Sequence, residues 1–328
     1  MTATRAEQAT RPPGHELDPE IALFRRRAGE ATRHLPPLDT LPLAEARRLI
    51  ELARAPWFAG GPDMRQTRDL ILDDIRPSLR LRVYEPGGTV NGTLVYIHGG
   101  GWTLFSLETH DRVMREYAAT AGMIVVGVDY ALAPEAAFPV AIEQITHALR
   151  QLRAMPETFG LTTGPIFIGG DSAGANLSVA TALVLRDAGH GDLLSGLLLN
   201  YGVYDHACAG PSFDRYSDPA YMLTREEMHF FWSHYIPDAD RRAQPLASPL
   251  RAELRGLPPA FLAIAECDVL ADENVAMAQR LGQAGVAVQA VTYPGTTHSF
   301  LEAVSIAAVA RQALEDQADW MRKLLPPV

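Results

Sequence analysis

Cysteine occurs only twice in the 328 residues, at Cys208 and Cys267, and lysine only once, at Lys323. Two thiols so far apart build no disulfide framework and suit a reducing compartment. Cys267 abuts Asp268, yet a small buried thiol is the plainer reading of it. Arginine carries nearly all the positive charge, a matter of base composition rather than chemistry. No basic cluster offsets the formal net charge of −10, which argues against nucleic acid and anionic membrane surfaces as partners. No apolar run approaches the roughly 18 residues of a membrane span, and Met1 to Glu20 has no apolar leader core, so a soluble cytoplasmic protein is the expectation. Internal repeats and low-complexity tracts are also missing.

What the chain does have is a large apolar share, 47%, enough for a sizeable core. From Leu17 to Phe58 two amphipathic helical patterns, one with Ile21, Phe24 and Ala28, the other with Leu43, Ala46, Leu49, Ile50 and Ala53, flank Leu35-Pro36-Pro37. No strand pattern occurs there, so residues 1–60 read as a helical cap segment added to a core of residues 61–328. Strand-like runs follow at Thr67 to Asp73, Leu79 to Tyr84, Thr93 to Ile97, Ile124 to Val128, Ile166 to Gly169, Ser195 to Leu199, Ala260 to Ala265 and Val286 to Thr292. The first two or three are close enough to pair as hairpins. Later ones alternate with helices such as Val140 to Ala154, predicting an α/β fold with an antiparallel edge leading into a mostly parallel, eight-stranded sheet.

One interval breaks that rhythm. The stretch between Leu199 and Ala260 is too long for an ordinary crossover and is rich in aromatics, among them Phe213, Tyr216, Tyr221, Phe230, Phe231, Trp232 and Tyr235. A helix from Arg225 to His234 accommodates some of these as plain core. Residues 204–245 nevertheless read as a second cap insertion, since the sheet needs neither this stretch nor the N-terminal helices.

The chain is organised around Gly170-Asp171-Ser172-Ala173-Gly174, set between the strand Ile166 to Gly169 and a helix from Ala175 to Asp187. A sharp strand-to-helix bend brings the positions two before and two after Ser172 together, and glycine there removes bulk. This G-x-S-x-G turn resembles the nucleophile elbow of the α/β-hydrolases. A serine hydroxyl needs a base, and the base an orienting carboxylate, in the chain order Ser, acid, His. His298 alone among the later histidines lies in a turn directly after a strand, within Tyr293-Pro294-Gly295-Thr296-Thr297-His298. For the acid, Asp268 lies in the loop after the Ala260 strand, whereas Asp272 falls at a helix start and suits a cap. Asp205, also following a strand, is its rival.

Backbone N–H groups to hold an oxyanion are expected from Ala173 and from His98-Gly99-Gly100-Gly101-Trp102, whose glycines leave the main chain unobstructed. That glycine run lacks a dinucleotide spacing and a phosphate-loop lysine, so it does not read as a phosphate cradle. His98 precedes Ser172 and is read as shaping the loop rather than as the base.

With these residues, the sequence resembles the hormone-sensitive-lipase-like family of α/β-hydrolases, marked by H-G-G-G and G-D-S-A-G. It is most similar there to the bacterial acetyl esterases, through Leu107-Glu108-Thr109-His110-Asp111-Arg112, Asp129-Tyr130-Ala131-Leu132-Ala133-Pro134-Glu135, Phe138-Pro139 and Tyr293 to His298. The resemblance runs from about Leu79 onward. It implies an α/β-hydrolase fold with a helical cap, a triad of Ser172, Asp268 and His298, and oxyanion donors at Gly100, Gly101 and Ala173. It further implies hydrolysis of short-chain acyl esters with no cofactor and no metal. Val269 and Ser299 depart from the Pro and Gly common after the acid and the His. Trp102, Leu104, Phe105, Phe213 and Tyr221 are candidates for the substrate pocket. The same triad supports an amidase or formamidase, and the plant gibberellin receptors of the family show a non-catalytic binding use, though those have lost the base. Relatives often pair as homodimers through their last strand or helix.

Overall fold

Strands that are apolar on both faces take the centre of the sheet, and those that alternate take its edges. The computed structural model describes residues 16–36 and 40–325, so the start of the expected N-terminal segment and Pro37 lie outside the described residues. Its strands are β1 (Gln66–Leu72), β2 (Leu79–Glu85), β3 (Thr93–Ile97), β4 (Ile124–Asp129), β5 (Ile166–Asp171), β6 (Gly196–Asn200), β7 (Ala260–Cys267) and β8 (Val288–Thr297). They form one eight-stranded sheet in the order β1-β2-β4-β3-β5-β6-β7-β8. The α/β-hydrolase fold expected from the sequence is the fold observed.

β1 and β2 form an antiparallel hairpin and β2 runs antiparallel to β4, whereas every later pair is parallel. β3 does not pair with β2, contrary to the hairpin reading of the first three strands. Every residue of β3 is buried, so it gains most between two parallel neighbours, and β4 separates it from the half-exposed edge. The last strand also runs further than expected, through Thr297. Pro294 is tolerated because β8 is an edge strand, and Gly295 N–H is taken by the Glu266 carboxylate at 2.8 Å beside an irregularity at Ala265/Cys267.

Helices cover both faces: α1 (Pro19–Thr32), α2 (Leu43–Phe58), α3 (Asp111–Ala121), α4 (Val140–Ala154), α5 (Ala173–Asp187), α6 (Pro211–Tyr216), α7 (Arg225–Tyr235), α8 (Ala271–Gln283) and α9 (Ala308–Lys323). Alternate strand residues divide the core in two. Leu81, Val95, Ile97, Val126, Ile168 and Leu199 face α4, α5 and α8, while Leu94, Tyr96, Val125, Phe167, Leu198 and Phe261 face α3 and α9. Each such side chain contributes about 1.5–3 kcal/mol on burial, so the central strands give the loops at their C-terminal ends a rigid base.

Asp18 starts α1 by accepting from the N–H groups of Glu20 and Ile21 at 2.8 and 3.1 Å. Phe24 of α1 meets Trp57 of α2 edge-on, with ring centroids 4.6 Å apart. Thr224 and Glu227 form a capping box that starts α7. Most aromatics of the 204–245 insertion are spent on packing: Phe213, Tyr216, Trp232 and Tyr235 are all buried. No described helix is long and apolar enough to cross a membrane.

Candidate active site

Ser172 occupies the turn between β5 and α5 with φ 54° and ψ −118°, a conformation costly for a residue with a side chain. The turn is held because Ser172 N–H donates to Asn200 O at 2.8 Å and because neither Gly170 nor Gly174 has a Cβ to collide with the carbonyl of Ile97. The strain directs the hydroxyl away from the sheet. His298 Nε2 lies 2.9 Å from Ser172 Oγ.

The other imidazole nitrogen, His298 Nδ1, lies 2.7 Å from Asp268 Oδ2. Asp268 follows β7 directly, is 1% exposed, and accepts the N–H of Leu270 at 3.0 Å through its second oxygen. Burial lowers the proton affinity of His298, but the charge and hydrogen bond of Asp268 outweigh it, so the imidazole titrates above its ordinary value. With Asp268 ionised, Nδ1 carries the proton and Nε2 presents a lone pair to the serine. Asp205 is elsewhere, paired with Arg251 and beside His206.

The loop after β3 supplies the facing wall. Gly100 and Gly101 have φ of 104° and 58°; a Cβ on Gly100 would strike the Leu104 carbonyl, and one on Gly101 would fall within the ring of Phe231. Among the described residues, the N–H groups of Gly100, Gly101 and Ala173 donate to no backbone carbonyl. Ala173 is the first residue of α5, where the helix adds its positive end.

Above Ser172 and His298 lies a cavity of about 420 Å³. Phe24, Ile50 and Trp57 of the N-terminal helices, Leu104 and Phe105 of the glycine loop, and Met222, Leu223, Met228 and Phe231 of the insertion line it. Of the expected pocket residues, Leu104 and Phe105 reach the cavity and Trp102, Phe213 and Tyr221 do not. Trp102 instead stacks on Tyr235 at 4.3 Å, and Phe213 is fully buried against the core, both drawn inward by the area they hide from water. Tyr221 packs on Tyr216 at 5.1 Å. Sequence reasoning missed Arg54, which lines the cavity over the Phe105 ring, and Glu227, whose carboxyl burial pushes above its usual range. Neither has a local signal; both are polar residues on helix faces that only packing turns inward.

A family model described as the alpha/beta hydrolase fold matches residues 94–302, a span that contains the glycine loop, Ser172, Asp268 and His298. The chain belongs to this hydrolase family. An acetyl esterase of Salmonella paratyphi B is 35% identical over 282 residues, 83% of this chain and 84% of the relative. Among solved hydrolases, the hyperthermophilic esterase of Pyrobaculum calidifontis is 32% identical with a TM-score of 0.88, covering 94% of this chain and 99% of its own. An ester hydrolase from the Lake Arreo metagenome, complexed with a bipyridine phosphonate derivative, is 33% identical with a TM-score of 0.86, covering 93% and 98%.

Proposed function

We propose that this α/β-hydrolase, a carboxylic ester hydrolase, cleaves short-chain acyl esters through an acyl-enzyme formed on Ser172. The observation that carries the reading is the unbroken line Ser172 Oγ, His298, Asp268, with contacts of 2.9 and 2.7 Å.

Ser172 Oγ attacks the ester carbonyl carbon while His298 Nε2 takes its proton. The carbonyl oxygen becomes an alkoxide held by the N–H groups of Gly100, Gly101 and Ala173, each such donor being worth about 10²–10³ in turnover. Collapse expels the alcohol, to which His298 returns the proton. Water then enters, His298 takes a proton from it, and a second tetrahedral intermediate releases the acid and restores Ser172. Asp268 holds the imidazole tautomer and balances its transient charge.

Cavity size supports small substrates: about 420 Å³ is near the low end of the roughly 300–1,000 Å³ found for ligand pockets. The helices α1 and α2 and the 204–245 insertion act as the cap, since they contribute most of the apolar lining. The buried thiols of Cys208 and Cys267 fit a reducing, cytoplasmic setting.

Ser172→Ala tests the assignment. Hydrolysis of p-nitrophenyl acetate should fall by about 10⁴ or more, with fluorophosphonate labelling lost and circular dichroism unchanged. Normal turnover by that variant would sink the reading.

A further inference from the structure

The Leu107 to Arg112 motif contributes nothing to the steps above, yet its His110 is 1% exposed and faces the carboxylate of Asp171, itself 2% exposed, one residue before Ser172. Asp171 Oδ1 accepts from Tyr96 OH at 2.9 Å and from Gly99 N–H at 3.2 Å, and His110 Nε2 stands 3.3 Å from it. Gly99 is in turn the residue before the oxyanion donors Gly100 and Gly101. A single carboxylate thus ties the glycine loop to the elbow.

The hydrogen bonds around Thr109 favour a doubly protonated His110. The Thr109 hydroxyl accepts the N–H of Ser106 at 3.1 Å and lies 2.9 Å from Ser106 O, the acceptor for its one proton. With that proton on Ser106 O, His110 Nδ1, 2.9 Å from the same hydroxyl oxygen, donates to it. Nε2 faces a carboxylate and must donate as well. The arrangement that satisfies every member has both ring nitrogens protonated.

We propose that His110 is a positioning residue, held as an imidazolium, whose ion pair with Asp171 fixes Gly99 and so sets the distance between the two halves of the oxyanion hole. The proposal rests on the ester-hydrolase reading of Ser172. It differs from a general packing role in requiring the charge.

The surroundings agree. Burial lowers His110, but Asp171 outweighs it and the net direction is upward; burial likewise raises Asp171, and His110 reverses that. From the end of β3, the His98 ring lies 5.5 Å from His110. Its Nδ1–H donates to Gly99 O at 2.8 Å and its Nε2 has no partner among the described residues, the pattern of a neutral ring. Burial and the His110 charge hold His98 down at about 4. Phe105 is the other ring beside His110, at 5.7 Å. Glu302 and Arg54, the remaining charged groups that act on it, are paired with each other. Losing the proton on His110 would leave Asp171 a buried charge with neutral donors alone; burial then favours the protonated carboxyl, a weaker acceptor for the Gly99 N–H.

Two measurements test this. In nitrogen-15 histidine spectra of the wild-type protein at pH 8, both His110 nitrogens should show imidazolium shifts while His98 stays neutral; a pyridine-type nitrogen on His110 overturns the proposal. His110→Gln keeps an amide donor but not the charge. Turnover of p-nitrophenyl acetate by this variant should fall about 10- to 100-fold, KM should move less than about twofold, and affinity for a trifluoromethyl ketone should fall in parallel with kcat. A kcat within about threefold of wild type, or a loss confined to KM, overturns it. The spectral arm needs no variant and stands even if His110→Gln does not fold. A wild-type protein inert toward every ester would instead count against the assigned reaction while leaving the spectral result readable.

Discussion

Gly174 lies so close beneath the backbone carbonyl of Ile97 that a Cβ on it would overlap the carbonyl oxygen. Ile97 ends the central strand β3, and Gly174 lies in the first turn of the helix behind Ser172. The bend at Ser172 therefore depends on two elements touching backbone to backbone.

From that contact, Gly174→Ala should be destabilising by about 3 kcal/mol, since neither backbone can retreat. Urea unfolding of the variant, where it is soluble, gives the number. A loss under about 0.5 kcal/mol would show that the two elements separate freely.

The upward direction of His298 fixes the sign of a pH effect. Under the proposed mechanism the base acts when neutral, so kcat/KM is lost as pH falls through a pKa above the ordinary histidine value of about 6.5. A pH–rate profile on p-nitrophenyl acetate should therefore rise through a midpoint above that value. Asp268→Asn should lower kcat by about 10⁴. A profile flat from pH 5 to 8 would remove His298 as the base.

Phe231 fills the space beside Gly101 and lines the cavity. Phe231→Ala should lengthen the accepted acyl chain, raising the decanoate-to-acetate ratio of kcat/KM about tenfold. An unchanged ratio would mean that the acyl group sits elsewhere.

Arg54 of α2 pairs with Glu302, which is only 5% exposed and follows His298 closely in the chain. Removing the cation strands a buried carboxylate, so Arg54→Met should cost about 3–5 kcal/mol. The double variant Arg54→Met, Glu302→Leu should lose less than the single one in urea unfolding, because no charge is stranded. A double variant weaker than Arg54→Met would mean that the pair does more than cancel charge.

Much of this architecture was legible because its signals are local. Buried strands have apolar runs, the elbow has its glycines, and Asp268 and His298 each follow a strand. Strand order was not, since nothing in Leu79 to Ile97 says that β4 will slip between β2 and β3. Nor was the passage of β8 through Pro294, which depends on the strand's lying at an edge. The pocket wall was least legible: Trp102 and Phe231 look alike in sequence, and the packing of α7 buries one and turns the other to the cavity. The His110–Asp171 pair joins residues 61 apart and leaves no periodic trace.

Asp18, at the head of the first helix, donates its N–H to Gly295 just before His298. These two partners lie far apart in the chain, so the first helix docks beside His298 only once the last strand of the sheet is in place. Under the proposed mechanism, Ser172 emerges as an inert alcohol and stays so while the 126 positions to His298 are added. A chain that lacks His298 is, on that mechanism, inert toward esters however well the rest of it folds.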